Sequence, residues 1–276
     1  MKNKKEINMD KNKKYRFVFK FAEEFLNEII ANHPDLNDAI LKEHLKQESK
    51  FESIRDAHCR LVQSLSNRNM MASVIGFNRR EKEMKSILFG YDSEKILNTY
   101  KSVDELLKKF KSLFNLQNIQ GKRSLWRKFS EGIISGSQFM ASFKNKDDFD
   151  AFVKTFNRNK YTKAALPMLL SKEIKGFGFA LACDFLKELG YREYPKPDIH
   201  LVTIFYELGL SESKEPYDVY KSIIEMAEAV GKDAYTVDKI FWLISSGKFY
   251  LVNIETGRNR DRFIRDAKVR LSGLKV

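Results

Sequence analysis

Residues 169–201 contain the pattern from which the fold is most directly predicted. It reads Leu-Leu-Ser-Lys-Glu-Ile-Lys-Gly-Phe-Gly-Phe-Ala-Leu-Ala-Cys-Asp-Phe-Leu-Lys-Glu-Leu-Gly-Tyr over residues 169–191 and Arg-Glu-Tyr-Pro-Lys-Pro-Asp-Ile-His-Leu over residues 192–201. The pattern predicts an apolar helix that ends at Ile174, a tight turn at Gly176 and Gly178, and a second helix that begins at Phe179. Because glycine allows positive φ and a close backbone approach, we expect the two helices to meet in a hairpin.

The start of the second helix is suited to phosphate. Its free N–H groups point outward, and such groups bind phosphate without reading the base sequence. We therefore expect contacts with a polyanion from a short run of residues at the turn: Lys175, Gly176, Gly178, Phe179 and Ala180. A Gly-x-Gly turn is also common as a plain connector, so the turn alone does not identify a binding site.

On both sides of the hairpin, apolar residues recur at helical spacing along almost the whole chain, and signals for strand hairpins are nearly absent. Asp104 and the pair Asp147–Asp148 open amphipathic runs, where acidic residues favour the first turn of a helix. Predicted helix ends follow at Gly209, Gly231 and Gly247. There is no repeat of fixed period. The pattern therefore predicts an all-α fold, a compact array of helices and not a solenoid.

Composition excludes several classes of protein. The 276 residues include 22 Phe and 11 Tyr, which a disordered chain of this charge content would lack. No apolar run is long enough for a membrane span, and the first residues carry no signal core, so we expect a soluble, cytoplasmic protein without membrane contact. Cys59 and Cys183 are the only cysteines. They exclude a disulfide scaffold, a four-cysteine iron–sulfur cluster and a zinc ribbon, and we expect no metal.

Charge indicates the partner. The chain carries 50 Lys and Arg against 37 Asp and Glu, a net charge of +13, and nucleic acid is the usual partner of such a protein. Basic residues are concentrated in residues 1–20 and 257–276. We expect both ends to be phosphate-facing arms, with residues 1–16 and 257–276 mobile. Lysine-rich ends that only keep the protein in solution are the alternative.

Three local patterns resemble the helix-hairpin-helix (HhH-GPD) DNA glycosylases, which include endonuclease III, adenine glycosylase and 8-oxoguanine glycosylase. The first is hydrophobic-x-Gly-hydrophobic-Gly at residues 174–178, and the second is the small-residue helix start at residues 180–183. The third is an aspartate before an apolar helix, Asp198, which follows Gly178 by 20 residues as the corresponding aspartate does in endonuclease III. The resemblance implies a DNA partner, base flipping and a catalytic aspartate.

The departures from this family are as informative as the match. Bifunctional members carry a nucleophilic lysine two residues after the second hairpin glycine, where this chain has Ala180. The resemblance therefore implies a monofunctional enzyme that uses water. Lys175 and Lys196 lie near the motif but not at the matching position, and surface lysines more often contact phosphate than act as nucleophiles. The cluster cysteines are absent, and no cofactor is expected.

Asp198 is the candidate catalytic carboxylate. Cleavage of an N-glycosidic bond creates positive charge on the sugar, which a carboxylate stabilises while it orients the attacking water. Pro197 fixes the chain before it, and the following helix N-terminus is expected to lower the pKa of Asp198 and keep it ionised. An aspartate in this place is often only a helix cap, and the upstream hairpin favours catalysis. His200 is a candidate proton donor, or it packs locally.

Base flipping needs a wedge and stacking groups. Asn69 is expected to contact DNA, and Asn67 and Met70 are further candidates in the same loop. Four aromatic residues are candidates for stacking, although each also fits a core position: Phe179, Tyr191, Tyr194 and Trp242. Asp238 and Lys239 begin an apolar helix, where the pair is read as a cap and a solvated lysine. The alternative is that Lys239 contacts DNA.

The stretches 196–201 and 237–250 resemble proteins known as α-glutamyl/putrescinyl thymine pyrophosphorylases, which are associated with hypermodified phage DNA. This likeness implies a bulky modified pyrimidine as substrate. It also implies a role in antiphage defence or in phage DNA modification.

Together these features predict a two-lobed glycosylase fold with a DNA-binding cleft between the lobes. Residues 1–49 would form a basic arm and helix that pack with the C-terminal lobe, residues 50–190 a helical barrel ending in the hairpin, and residues 191–276 that lobe with a basic tail. The expected function is that of a monomeric, monofunctional DNA glycosylase that excises a modified pyrimidine and leaves an abasic site. An in-DNA thymine-modifying transferase and a non-catalytic DNA-binding protein are the alternatives. The identity of the base and the preferred strand state do not follow from the sequence.

Overall fold

The computed structural model describes residues 10–46, 51–68 and 71–273. Its helices are, in chain order, α1 (Lys11–Ala31), α2 (Asp38–Leu45), α3 (Ile54–Ser66), α4 (Met71–Ile75), α5 (Glu81–Ile87), α6 (Ser93–Thr99), α7 (Val103–Phe114), α8 (Leu125–Met140), α9 (Lys146–Thr155), α10 (Lys160–Glu173), α11 (Phe179–Glu188), α12 (Ile199–Glu207), α13 (Pro216–Val230), α14 (Ala234–Ser246) and α15 (Arg260–Gly273). Short 3₁₀ helices span Phe77–Arg80 and Phe89–Tyr91, and two-residue strands β1 (Lys248–Phe249) and β2 (Ile254–Glu255) pair antiparallel. The predicted all-α class is confirmed.

The chain divides into two compact units. The terminal unit consists of Met1–Glu48 with Arg192–Val276, and the central unit is Ser49–Tyr191. The terminal unit is thus assembled from two separate parts of the chain, and the central unit lies between them in sequence.

The terminal unit is held by α1, which packs against α13, α14 and α15. Its core is aromatic: the rings of Phe21 and Phe263 stack 5.3 Å apart, and Phe25 and Phe241 meet Phe263 edge-on. Burying each such ring stabilises the fold by about 1.5–3 kcal/mol. The predicted ends at Gly231 and Gly247 are confirmed, since both residues cap their helices in the left-handed conformation.

The central unit is built around α8, which packs along α3, α6 and α7. Glycines at the α8 surface permit this approach. A Cβ on Gly136 would lie 2.6 Å from the Leu61 side chain, and one on Gly132 would lie 2.8 Å from that of Leu65. Larger residues would force α3 and α8 apart.

A buried histidine joins the elements of the central unit. The Nδ1 atom of His58 on α3 lies 3.0 Å from the carbonyl oxygen of Tyr91 and 2.9 Å from the Ser93 hydroxyl, and its Nε2 lies 3.2 Å from the Ser137 hydroxyl on α8. Burial lowers the pKa of His58 to about 4. The neutral imidazole therefore belongs to the folded state at physiological pH.

The expectation of mobile basic ends is wrong for most of the residues concerned. Lys11–Arg16 belong to α1, and residues 260–273 form α15. The basic run also contains apolar residues, which net charge does not reveal. Three of them are buried and hold α15 in the fold: Phe263, Ile264 and Ala267. Residues 1–9 lie outside the described part of the chain.

Three cations of α15 form ion pairs with carboxylates of other helices. Arg262 pairs with Glu28 at 2.8 Å, Arg270 with Glu24 at 3.2 Å, and Lys268 with Glu207 at 2.9 Å. The first two pairs join α15 to α1. Several of the cations expected to face phosphate are therefore paired with carboxylates within the terminal unit.

No helix in the described ranges combines the length and apolar character of a membrane span. Within those same ranges, no group of three or more His, Cys, Asp or Glu side chains is arranged to hold a metal ion.

Candidate functional site

The helix-hairpin-helix forms as predicted between α10 and α11. Ile174 caps α10 and is fully buried, Gly176 has a φ of +82°, and Phe177 packs edge-on against Phe185 at 5.7 Å. The N–H of Lys175 donates to the Ser135 hydroxyl of α8 at 2.9 Å. The hairpin backbone is therefore fixed against α8, while the Lys175 side chain is exposed.

Gly178 differs from the expectation of a left-handed turn residue. Its φ is −74° and its ψ is 162°, so it is an extended N-cap for α11 and not a positive-φ glycine. The N–H groups of Leu181 and Ala182 donate to its carbonyl, both at 2.9 Å. Apart from its chain neighbours, no described atom lies within 4 Å of the place a Cβ would take.

Glycine at this N-cap leaves the start of α11 without a capping side chain. An N–H group near the start of a helix, such as that of Ala180 in α11, has no acceptor within the helix itself. By contrast, Asn159 caps α10 by accepting from the N–H groups of Tyr161 and Thr162. The start of α11 therefore lacks a capping side chain, and its N-cap Gly178 is exposed.

Arg68 was missed by the sequence analysis and lies at the same turn. Its guanidinium nitrogen is 2.7 Å from the position that a Cβ on Gly176 would occupy, and the residue is exposed. The φ of +82° favours glycine at position 176, whereas the Arg68 side chain is flexible and could move away from a Cβ there. The Ser-Asn-Arg-Asn-Met segment around Arg68 does not indicate this contact, because Arg68 reaches the hairpin only in the folded chain. The predicted contacts from Asn69 and Met70 lie outside the described residues.

Asp198 is the N-cap of α12. Its Oδ1 accepts from the N–H of His200 at 2.9 Å and of Leu201 at 3.3 Å. Pro197 precedes it, and the side chain is half-buried. The alternative that Asp198 is a helix cap is therefore confirmed, and a catalytic role for the same carboxylate stays a prediction.

The expected lowering of the Asp198 pKa is wrong. Burial, together with the carboxylate of Asp238, raises the pKa of Asp198 above its usual range, although His200, Lys196 and the N–H of Leu201 act in the opposite direction. The helix N-terminus alone does not decide the charge, because desolvation and a like charge outweigh it. The raised pKa makes Asp198 a stronger base than an exposed aspartate.

His200 lies beside Asp198 and is held by α14. Its Nδ1 is 2.7 Å from the Ser245 hydroxyl, and its ring meets Trp242 edge-on at 6.5 Å. Burial lowers the pKa of His200, the charge of Asp198 raises it, and Arg260, Arg258 and Lys196 lower it. Arg258 and Arg260 thus place positive charge near the Asp198–His200 pair.

Asp238 and Lys239 are neither a cap nor a solvated lysine. Helix α14 begins at Ala234 with Asp233 as its cap, so both residues stand inside the helix, and both are buried. Asp238 accepts from the backbone N–H of Lys196 at 2.8 Å. The Lys239 ammonium donates to the Tyr250 hydroxyl at 2.9 Å.

The Lys239 ammonium is enclosed by aromatic rings. Its Nζ lies 5.2, 5.5 and 4.8 Å from the ring centroids of Tyr235, Trp242 and Tyr250. A DNA contact from Lys239 stays a prediction. Of the other stacking candidates, Tyr194 is a fully buried core residue and Tyr191 packs between Phe51 and Phe149.

The predicted residues therefore fall into two groups. The terminal unit brings together Asp198, His200 and Lys239 with Asp238, Trp242 and Arg258. The central unit brings together Lys175, Gly176, Gly178, Phe179 and Ala180 with Arg68.

Comparison with solved structures identifies the fold, whereas comparison with sequences finds no match. No protein-family model matches the sequence, and no curated protein matches it. Among solved structures, the chain is similar to the 8-oxoguanine glycosylase/lyase of Methanocaldococcus jannaschii in complex with a 15-mer DNA containing 8-oxoguanine. The two share 22% identity and a TM-score of 0.52, over 84% of this chain and 98% of that one. This chain therefore has the helical fold of a DNA glycosylase/lyase.

Proposed function

We propose that this protein is a DNA glycosylase that hydrolyses the N-glycosidic bond of a modified base. The observation that carries the proposal is the half-buried carboxylate of Asp198 at the start of α12, beside His200, in a chain with a glycosylase fold. A carboxylate in a partly desolvated place stabilises the positive charge that develops on the sugar as the bond breaks.

The charge state of Asp198 sets the pH range of the reaction. The ionised form is the one that stabilises the cation and orients water, and the pKa of Asp198 is raised. Turnover is therefore expected to fall on acidification at a pH above the usual range of an aspartate.

DNA binding is proposed to use backbone N–H groups and exposed cations. In the central unit they come from the start of α11, which has no capping side chain, and from Lys175 and Arg68. In the terminal unit Arg258 is exposed and its charge acts on His200. Such contacts hold the phosphate backbone and carry no base information.

Water is the proposed nucleophile. Ala180 stands where the resembling bifunctional enzymes place a lysine, and an alanine forms no imine with the sugar. The product would be an intact abasic strand. Borohydride added during turnover should then fail to link protein to DNA; efficient trapping that is lost in Lys239→Gln would overturn the water mechanism.

The proposed substrate is a modified pyrimidine, with antiphage defence as the biological role. This part of the proposal rests on the likeness of residues 196–201 and 237–250 to the thymine pyrophosphorylases of hypermodified phage DNA.

Mass spectrometry of small molecules released from a panel of DNAs tests the proposed substrate. The panel contains unmodified DNA, DNA with 8-oxoguanine, and phage DNAs with modified cytosine or thymine. Release of a free modified pyrimidine with alkali-sensitive abasic sites is the expected result. Release of 8-oxoguanine alone would retain the glycosylase and overturn the pyrimidine substrate. A pyrophosphate product would indicate the transferase, and no release from any DNA would overturn the proposal.

A further inference from the structure

Asp238 is a second carboxylate close to Asp198, contributed by the middle of α14. Only 1% of its surface is exposed. Burying a carboxylate is costly unless hydrogen bonds and charges compensate it. Its Oδ2 is used in a specific way, as the acceptor for the backbone N–H of Lys196 at 2.8 Å.

That hydrogen bond acts on the segment that carries Asp198. Residues 195–198 read Pro-Lys-Pro-Asp, so only Lys196 and Asp198 have backbone N–H groups there. The Lys196 N–H donates to Asp238, and the Asp198 N–H donates to the carbonyl oxygen of Lys196 at 2.9 Å. Both donors are therefore used, and one of them fixes the segment to α14.

We propose that Asp238 is a positioning residue that holds the Asp198 carboxylate in place through the backbone of Lys196. The proposal rests on the proposed function, since it assigns Asp198 the chemical role. The prolines make the segment stiff, and the hydrogen bond to α14 gives it one fixed orientation. A displacement of about 1 Å in such a group costs about 100-fold in rate.

Asp238 also acts on Asp198 through its charge. The groups that face Asp198 are Asp238 from α14, His200 from α12 and Lys196 from its own segment, and Arg258 and Arg260 act on His200. Among them Asp238 is the group whose charge raises the pKa of Asp198. Removing that charge should lower the pKa of Asp198.

Two substitutions separate position from charge. Asp238→Asn keeps an acceptor for the Lys196 N–H and removes the charge, so the acidic limb of the kcat profile should move to lower pH. Asp238→Ala removes the acceptor as well, so kcat should fall about 100-fold more than in Asp238→Asn while the Kd for DNA stays within about threefold. Asp233→Asn, on the same helix but bound to Arg192, should leave the acidic limb unmoved.

A carboxylate NMR titration of Asp198 supplies a readout that does not require activity. The pKa of Asp198 should be lower in Asp238→Asn than in the unaltered protein and unchanged in Asp233→Asn. If the unaltered protein releases no base, the proposed function fails while this titration still tests the coupling. A kcat in Asp238→Ala equal to that of Asp238→Asn would overturn the positioning role. An acidic limb and an Asp198 pKa that both stay unmoved in Asp238→Asn would overturn the effect of the Asp238 charge. Thermal unfolding of each variant separates misfolding from either result.

Discussion

Helices α11 and α12 begin in opposite ways. Helix α11 starts at Gly178, which supplies no capping side chain, whereas α12 starts at Asp198, whose carboxylate accepts from the N–H groups of His200 and Leu201. One helix start has no capping side chain, and the other contains an anion of the protein itself. Under the proposed function the two starts perform different tasks, since the first binds a phosphate and the second holds a carboxylate for catalysis.

The largest effect is expected from removing the charge at the start of α12. Asparagine caps helices as well as aspartate does, so Asp198→Asn should keep the fold and lose only the negative charge. We expect base release to fall about 1,000-fold, with DNA affinity within about threefold, since the charge stabilises the transition state and not the bound ground state. Single-turnover kinetics and a DNA titration measure the two quantities.

Asp198→Ala is the control for this substitution, because it removes the cap as well and should cost about 1 kcal/mol of stability. Near-normal base release by Asp198→Asn would show that Asp198 is only a helix cap. The proposed catalytic role of the start of α12 would then be wrong.

The next effect concerns the stability of the two units in acid. His58 in the central unit has a pKa lowered to about 4, below its value of 6.5 in an unfolded chain. Its contribution is complete above pH 6.5 and is lost as the pH falls from 6.5 to 4, by about 3 kcal/mol in all. The raised pKa of Asp198 has the opposite sign, because protonation of that carboxyl relieves its burial.

Urea unfolding between pH 7 and pH 4 measures this difference. The free energy of unfolding should fall towards acid in the unaltered protein, and its pH dependence over this range should be weaker in His58→Gln. Equal pH dependence in the two proteins would remove His58 as the cause.

A smaller effect is expected from making α11 begin like α12. The backbone of Gly178 suits any residue, and the space for a Cβ is open, so Gly178→Asp should add a cap and stabilise the helix by a few tenths of a kcal/mol. The added charge should weaken binding to all DNA sequences by about tenfold, because it occupies the place of a phosphate.

Gly178→Ser is the matched control, since it caps without charge and should lose less affinity. Thermal unfolding and DNA titrations measure both variants. Unchanged affinity in Gly178→Asp would mean that the open start of α11 does not face phosphate.

The smallest effect is expected from Arg68 beside Gly176. Arg68→Gln should weaken DNA binding about fivefold for every sequence and reduce the slope of log affinity against log salt by about 1. Arg55→Gln in the same unit is the control, because Arg55 is paired with Asp92. A loss confined to one DNA sequence would indicate base recognition instead.

Local patterns in the sequence were enough to predict the helices and the hairpin. The two glycines, the small residues of α11 and the aspartate before α12 are close in sequence, so their arrangement follows from turn and helix preferences. The role of Gly178 was still misjudged. Its extended backbone and the open space beside it would accept any residue, so its backbone conformation does not explain the glycine.

Features that depend on distant parts of the chain were not predictable. Arg68 reaches Gly176 only in the folded central unit, and Asp238 acts on Asp198 across 40 residues of chain. The basic run of α15 predicts a free arm only because its carboxylate partners, Glu28 and Glu207, belong to other helices. Burial of these groups, which sets the sign of the Asp198 pKa shift, is likewise a property of the fold.

The ion pairs between α1 and α15 also constrain how the protein is made. Arg262 and Glu28 are 234 residues apart in the chain, and Arg270 and Glu24 are 246 apart. During synthesis α1 leaves the ribosome with its phenylalanine face uncovered, and it stays so until α13–α15 have emerged. The central unit is complete long before that, so it can fold first. Chaperones that cover apolar helices would therefore have their longest contact with α1.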